Sequence, residues 1–212
     1  MRESSNLRPS SGAIPLDGAR RQFLSSCDQR QGEPETMPNE SNVMIDVRHA
    51  LARDAGAIAS IHVRSWQHAY RGILPAVVLD SLDEAARENE WRARLGAPEH
   101  DLLVAELGAT VVGFCSLQPS RDADAPPQTG EVVAIYVAPE HTGRGAGSAL
   151  LRACLTVSRG YRGLTLWVLA GNHAARRFYE AFGYGRDGAT QRVERGGARL
   201  EQVRYRLDLP DL

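Results

Sequence analysis

Lysine is absent from this chain of 212 residues, in which arginine supplies all 25 basic side chains. Without lysine, no side chain can form a Schiff base of the lysine type with a carbonyl substrate. The phosphate-binding lysine of a Walker A loop and the ATP-binding lysine of a protein kinase are excluded for the same reason. Any strong cation that a site requires must therefore come from arginine.

Cysteine is scarce, and long apolar runs are missing. Cys27, Cys115 and Cys154 lie far apart and form no CxxC pair. This set predicts free thiols in a reducing compartment, with Cys115 and Cys154 buried as small hydrophobic side chains. The six histidines lack the spacing of a zinc site, so no metal is predicted. No apolar run approaches about 18 residues, so no membrane-spanning helix is predicted.

Neither sign of charge dominates, since 25 basic and 26 acidic residues give a formal charge of −1. This balance does not favour a nucleic-acid groove or a membrane-surface patch. The content of 42% apolar and 24% charged residues is that of an ordinary globular protein. We therefore expect a cytoplasmic protein that binds neither nucleic acid nor membrane.

Residues 1–43 differ from the rest of the chain. They are rich in Ser, Pro, Gln, Asn and mixed charge, and their few apolar residues follow no sustained period. Such a segment cannot bury enough apolar surface to offset the entropy of ordering, so we predict a disordered tail. Two alternatives are a start assigned too early, with Met37 or Met44 as the true first residue, and a partner-binding arm. Residues 44–212 are predicted to form one domain.

From residue 44 onward, hydrophobic periodicity and turn residues predict alternating strands and helices. The predicted strands are 44–48, 101–106, 110–117, 131–137, 164–169, 184–193 and 199–207. The predicted helices are 58–69, 82–95, a helix after a glycine-rich turn near 143–147, and 172–182. The helix after the turn has an apolar stripe of Leu150, Leu151, Cys154 and Leu155, and the last helix has Asn172 as its N-cap and Gly183 where a left-handed residue ends it. Together they indicate one domain of the α+β or mixed α/β class.

The most informative segment is the glycine-rich turn Thr142–Ser148, between a predicted strand and a predicted helix. Glycine permits close approach of a ligand to the backbone, and the free amides of a helix start bind phosphate. A purely structural tight turn is the alternative. A Walker A loop is excluded by the missing lysine. A Rossmann loop is disfavoured because Ser148 replaces the last glycine and the next strand ends without an acidic residue.

Two segments resemble known motifs of one family. Tyr136-Val137-Ala138-Pro139 followed by the turn at 142–147 resembles the acyl-CoA pyrophosphate loop of GNAT superfamily N-acetyltransferases, with Thr142 where the family has Gln or Arg. Residues 172–184, NHAARRFYEAFGY, are similar to the family's Asn-x-x-Ala-x-x-Phe-Tyr-x-x-x-Gly-Phe/Tyr helix. By order of elements the resemblance extends over residues 44 to about 208.

The resemblance implies a mixed α/β fold and an acetyl-CoA site. The sheet would be twisted and mostly antiparallel, with six to seven strands, about four flanking helices and a splay between the fourth and fifth strands. Backbone groups of one splayed strand would pair with the pantetheine arm. The implied contacts to acetyl-CoA are Ile135, Tyr136, Val137, Thr142, Gly143, Arg144, Gly145, Ala146, Gly147, Ser148, Asn172 and Tyr179.

The resemblance also implies direct transfer of the acetyl group to an amine. Glu131 is the candidate base that deprotonates the amine, because the family's other common position for a base holds Trp167. Tyr179 matches the tyrosine that protonates the departing thiolate. The alternatives are a solvated glutamate at a strand end and a core tyrosine with a satisfied hydroxyl group.

The acceptor side is less specified. Trp66, Tyr70 and Arg71 lie in a segment that resembles the acceptor-pocket wall of a bacterial subgroup of the family. The rings of Trp66, Tyr70 and Trp91 would either stack on substrate or pack in the core. The predicted function is transfer from acetyl-CoA to a primary amine of a small molecule, peptide or protein, and a homodimer is left open. Rival interpretations are a non-catalytic acyl-CoA sensor and a CoA-dependent transferase with a longer acyl chain or an oxygen acceptor.

Overall fold

The computed structural model describes residues 44–195 and 197–210, so the predicted tail 1–43 lies outside the described residues. The described residues form seven strands and five α-helices. In chain order these are β1 (Ile45–His49), α1 (Ala55–Ala69), α2 (Ala76–Asp80), α3 (Glu84–Arg94), β2 (Asp101–Leu107), β3 (Thr110–Pro119), β4 (Thr129–Val137), α4 (Ala146–Val157), β5 (Gly163–Leu169), α5 (His173–Ala181), β6 (Gly185–Arg195) and β7 (Ala198–Asp208). Short 3-10 helices, Ala52–Asp54 and Pro139–His141, precede α1 and follow β4.

The seven strands form one sheet in the order β1-β2-β3-β4-β5-β7-β6. Every neighbouring pair is antiparallel except β4 and β5, which are parallel. The predicted mixed, mostly antiparallel sheet is therefore confirmed. One helix more than expected is present, since α2 has only five residues behind Pro75 and is too short to show a helical period. Within the described residues, no helix is both long and apolar enough to cross a membrane.

The sheet opens between β4 and β5, as predicted. These two strands pair only at their first residues, from Thr129 opposite Gly163 to Glu131 opposite Thr165. On its other side β4 stays paired with β3 as far as Val137. A register shift in that pairing leaves Val133 without an opposite residue, which is the signature of a bulge and bends the strand. The bend accompanies the divergence of β4 from β5.

Helices cover both faces of the sheet. On one face α4 buries Leu150, Leu151 and Cys154 against the strands, as its predicted apolar stripe requires. On the other face Ile58 of α1 and Trp91 of α3 belong to a second apolar cluster. Each fully buried leucine or isoleucine contributes about 1.5–3 kcal/mol. The predicted burial of Cys115 and Cys154 as free thiols is confirmed.

Local signals fix both ends of α5. The side chain of Asn172 accepts a hydrogen bond from the Ala175 amide at 3.1 Å and so caps the first turn. After the helix, Gly183 adopts φ +87°, the left-handed conformation that ends many helices. Both features were predicted from the sequence, and together they fix the position of Tyr179 near the end of the helix.

Candidate active site

The split between β4 and β5 opens into two adjoining cavities. The larger, of about 500 Å³, is lined by α1, the two splayed strands, the start of α5 and the β6–β7 hairpin. The smaller, of about 450 Å³, lies against the glycine-rich turn and α5. The residues that line both cavities are Ile135, Val137, Thr142, Ala175 and Tyr179. The predicted strand, loop and helix residues therefore converge on one place.

The glycine-rich turn has the backbone geometry of an anion site. Gly143 and Gly145 adopt φ +78° and φ +92°, in the left-handed region that side chains disfavour. Gly145 is the N-cap of α4, whose first-turn amides have no acceptor within the helix and lie at the positive end of its dipole. Of the predicted loop residues, Thr142, Gly143, Gly145, Gly147 and Ser148 line the smaller cavity. This turn fits a pyrophosphate group.

Two predicted loop residues do not line either cavity. Ala146 is buried under the turn, where it belongs to the main apolar core. Arg144 is exposed. The side chains of these two residues therefore do not contribute to the lining of the space beside the turn.

The open edge of β4 offers further polar backbone groups. Past Glu131 the strand has no pairing with β5, and on this stretch the Val137 carbonyl accepts a hydrogen bond from the Ser65 hydroxyl at 3.0 Å. Ile135, Tyr136 and Val137 of this stretch line the larger cavity. An extended ligand that carries amide groups can pair with such an edge as an added strand would.

Tyr179 lies where the two cavities meet. Its side chain is only 9% exposed, and burial raises the pKa of its phenol well above the ordinary value. The phenol therefore stays protonated throughout the physiological range. Its ring makes edge contacts with Phe178 and Tyr184, with ring centres 5.3 and 6.0 Å apart. Asn172, at the start of the same helix, lines the larger cavity.

Glu131 occupies the point at which the strands diverge. It is 5% exposed, so it is not the solvated glutamate of the alternative interpretation. Both of its carboxylate oxygens accept hydrogen bonds of 3.2 Å from the guanidinium of Arg121, which is itself 67% exposed. The hydrogen bonds to the Glu131 carboxylate raise the pKa of the Arg121 guanidinium. Glu131 and Arg121 both line the larger cavity.

The aromatic side chains of the predicted acceptor segment separate into two groups. Trp66 and Tyr70 line the larger cavity with their rings 4.9 Å apart, and the Trp66 indole N–H donates to the Tyr136 hydroxyl at 2.9 Å. Trp91 is 2% exposed and packs in the core, so the packing interpretation is confirmed for it. Arg71 is exposed and lies outside the lining of the cavity.

A neutral histidine supports the wall behind Tyr136. The Nδ1 atom of His62 accepts a hydrogen bond from the Trp91 indole N–H at 3.1 Å, and its ring stacks on Tyr136 with centres 5.1 Å apart. Burial lowers the pKa of His62 to about 4, helped by the nearby charges of Arg87 and Arg94. The imidazole is therefore uncharged at neutral pH.

Sequence reasoning assigned no role to several side chains that line the larger cavity. On the final hairpin these are Gln191, Val193, Leu200 and Gln202, and the period of two along its strands, which places alternate residues on one face, is the signal that could have found them. Arg121 in the loop and His68 on α1 also line the cavity, and no period in the sequence indicates either of them.

Comparison with known proteins identifies the fold and its chemistry. The model of the acetyltransferase (GNAT) family matches residues 52–184. The chain belongs to the GNAT family. The uncharacterized N-acetyltransferase YuaI of Bacillus subtilis is 33% identical over 171 residues, covering 80% of this chain and 95% of that protein. The resemblance predicted from the two motifs is confirmed, and the protein is an acyltransferase.

Solved structures agree with this assignment. The protein yncA of Salmonella typhimurium, provisionally assigned as an acetyltransferase and solved with its cofactor acetyl-CoA, is 26% identical with a TM-score of 0.60. The match covers 79% of this chain and 95% of yncA. The PaiA N-acetyltransferase of Thermoplasma acidophilum, solved with coenzyme A, is 19% identical with a TM-score of 0.61, covering 78% of this chain and 99% of PaiA. Because PaiA is only 19% identical to this chain, its match supports the GNAT fold alone.

Proposed function

We propose that this GNAT protein transfers the acetyl group of acetyl-CoA directly to a primary amine of a small molecule, peptide or protein in the cytoplasm. The observation that carries the proposal is the meeting of the two cavities at Tyr179. One cavity lies beside an anion-binding turn, and the other contains a buried carboxylate. An acyl donor and an amine can thus approach each other from opposite sides of the split sheet.

The residues present fit acetyl-CoA. The amides of the turn from Gly143 to Ser148 would hold the pyrophosphate, and the open edge of β4 would pair with the pantetheine amides. Asn172 and Tyr179 would contact the end of the pantetheine arm. Bound in this way, acetyl-CoA supplies an acetyl group on sulfur, with CoA as the thiol leaving group.

Glu131 is the proposed base. An amine is protonated in water near neutral pH and must lose that proton before its nitrogen can attack the acetyl carbonyl carbon. The Glu131 carboxylate lines the cavity and can accept the proton directly or through one water. Arg121 fixes the orientation of the carboxylate through two hydrogen bonds. A backbone N–H on the open edge of β4 would stabilise the charge that develops on the carbonyl oxygen.

Tyr179 is the proposed acid. As the bond between carbon and sulfur breaks, the phenol donates its proton to the sulfur, and the phenolate regains a proton from solvent. Burial raises the pKa of this tyrosine, so the phenol stays protonated until the thiolate leaves. Its position at the junction of both cavities supports the assignment.

The first test is calorimetric titration of the full chain with acetyl-CoA, with ATP and NAD as controls. Saturable binding of acetyl-CoA alone is expected. Release of free thiol is then followed with tyramine, spermidine and a peptide with a free amino terminus. Binding without turnover of any amine would favour the non-catalytic acyl-CoA sensor. Failure of the folded protein to bind acetyl-CoA would overturn the proposal.

A further inference from the structure

A buried arginine joins the β6–β7 hairpin to the loop between β3 and β4. Arg204 on β7 is 8% exposed and lies directly opposite Trp167 of β5 in the sheet register. The loop, residues 120–128, lies between two strands that form the middle of the sheet. The family model matches the chain only as far as residue 184, so the β6–β7 hairpin lies outside the match.

All three guanidinium nitrogens of Arg204 are used. Its Nε donates to Asp187 of β6 at 2.6 Å, and its Nη1 and Nη2 donate to the two oxygens of Asp124 at 2.6 Å each. Its Nη1 also reaches Asp122 at 3.0 Å. Only a planar guanidinium can serve three carboxylates in this way. The arginine thus holds two aspartates of the loop and one of the hairpin together.

Asp122, which Arg204 holds, also accepts a hydrogen bond from Trp167. The indole N–H of Trp167 donates to both oxygens of Asp122, at 3.1 and 3.2 Å. The guanidinium carbon of Arg204 lies 5.5 Å from the centre of the same ring. Trp167 is therefore held by a hydrogen bond at its edge and by a cation near its face.

The held ring is a wall of the larger cavity. Trp167 lines that cavity together with Leu200 and Gln202 of β7. The residue before Asp122 is Arg121, which holds the Glu131 carboxylate. One loop therefore positions both the indole wall and the carboxylate of the cavity, and the loop is itself fixed by Arg204.

We infer that Arg204 is a positioning residue for the acceptor side of the site: it fixes the Trp167 wall and the loop that orients Glu131, and it leaves the acetyl-CoA side unaffected. The inference rests on the proposed function, because the part of the larger cavity that is lined by Glu131, Trp167 and the hairpin is taken as the acceptor side. The glycine-rich turn and Tyr179 make none of the contacts of this network, so the two halves of the site can be perturbed separately.

The test uses the indole N–H groups of the chain's three tryptophans as reporters. Each donates to a different partner: Trp66 to Tyr136, Trp91 to His62, and Trp167 to Asp122. Three indole signals are thus expected in a nitrogen–proton NMR spectrum, and Trp167→Phe identifies the third by its loss. Hydrogen exchange of each signal measures how firmly each ring is held.

The variant Arg204→Met removes the positive charge and the hydrogen-bond donors of the guanidinium. The Trp167 indole signal should then shift, and its N–H should exchange at least about tenfold faster, because its hydrogen bond to Asp122 is lost. The Trp66 and Trp91 signals should keep their exchange rates. Arg204→Lys should not restore protection, because an ammonium cannot bridge the same carboxylates. Unchanged exchange at Trp167 in Arg204→Met would overturn the inference.

A milder variant covers the case in which Arg204→Met does not fold. Asp124→Ala removes a carboxylate whose side chain is 66% exposed, which the fold should tolerate. It should still speed exchange of the Trp167 indole severalfold, because one of the two loop anchors on Arg204 is gone. Equal exchange rates of the Trp167 indole N–H in this variant and the wild type would contradict the inference that Arg204 holds Trp167 through the loop.

Binding separates this inference from the proposed function. The dissociation constant for acetyl-CoA in Asp124→Ala and Arg204→Met should stay within about twofold of wild type, while the KM for the amine used best by the wild type rises about tenfold. Weaker acetyl-CoA binding with unchanged amine KM would overturn the inference. If the wild type does not bind acetyl-CoA, the proposed function fails, while indole exchange still decides whether Arg204 holds Trp167.

Discussion

Lowering the pH from 7.5 to 5 should weaken the folded state through the imidazole of His62. In the unfolded chain this histidine takes up a proton near pH 6.5, whereas the folded protein keeps it neutral down to a pKa of about 4. Between these values the unfolded state binds more protons, so the free energy of unfolding falls as the pH falls. At about 1.4 kcal/mol per pH unit the full loss is about 3 kcal/mol, reached below pH 4.

About 2 kcal/mol of that loss lies between pH 7.5 and pH 5, a range in which most carboxylates remain ionised. Urea unfolding of the wild type and of His62→Asn at the two pH values measures it. Asparagine cannot titrate, yet it keeps an acceptor for the Trp91 indole. Burial also lowers the pKa of His100, but that contribution is present in both proteins and cancels in the comparison.

His68→Asn is the matched control. His68 lies on the same helix as His62 but is exposed, so this variant should lose as much stability as the wild type. His62→Asn should start less stable, because a smaller side chain leaves space beside Tyr136, and should then lose about 2 kcal/mol less on acidification. Equal losses in the wild type and His62→Asn would show that His62 takes up its proton at the same pH in the folded protein as in the unfolded chain, and would refute the argument.

Three further predictions concern the site itself. Tyr179→Phe should lower kcat about 100-fold with little change in acetyl-CoA affinity, whereas Tyr184→Phe, which removes a buried hydroxyl without a partner among the described residues, should leave kcat unchanged. Equal values of kcat in the two variants would refute the assignment of Tyr179 as the acid. Gly145→Ala should cost about 1 kcal/mol of stability, since φ is +92° there, and should weaken acetyl-CoA binding by calorimetry. Unaltered binding would remove the turn from the site. Glu131→Gln should lower kcat/KM, because a neutral amide cannot accept the proton of the amine. An unchanged kcat/KM would place the base elsewhere.

The features that the sequence predicted are those with a local cause. The turn at Gly143 and Gly145 needs left-handed backbone that glycine supplies, and the Asn172 cap needs only its own helix. Both could be located from adjacent residues, as could the period of two in most strands. The split of the sheet was different, because β4 and β5 are apolar for most of their length. That expectation came from the family resemblance.

The features that were missed depend on distant residues. The pair of Arg121 and Glu131 forms across a loop without any period, so nothing in the spacing indicates that the two side chains meet. The neutral state of His62 follows from burial against Trp91 and Tyr136, which α3 and β4 bring to it. Neither partner could be read from the helix that carries the histidine.

The same distinction explains why the acyl donor is easier to infer than the acceptor. The proposed acetyl-CoA side consists of two short segments, residues 135–148 and 172–179, and each segment is contiguous in the chain. The proposed acceptor side is formed by α1, the loop at Arg121, β5 and the final hairpin, and its shape depends on how these separate elements meet. Leu200→Ala on the hairpin should therefore alter the relative kcat/KM values of tyramine and spermidine while leaving the acetyl-CoA dissociation constant unchanged. An unaltered ratio would show that the amine does not reach β7, and would confine the acceptor to the space between α1 and the splayed strands.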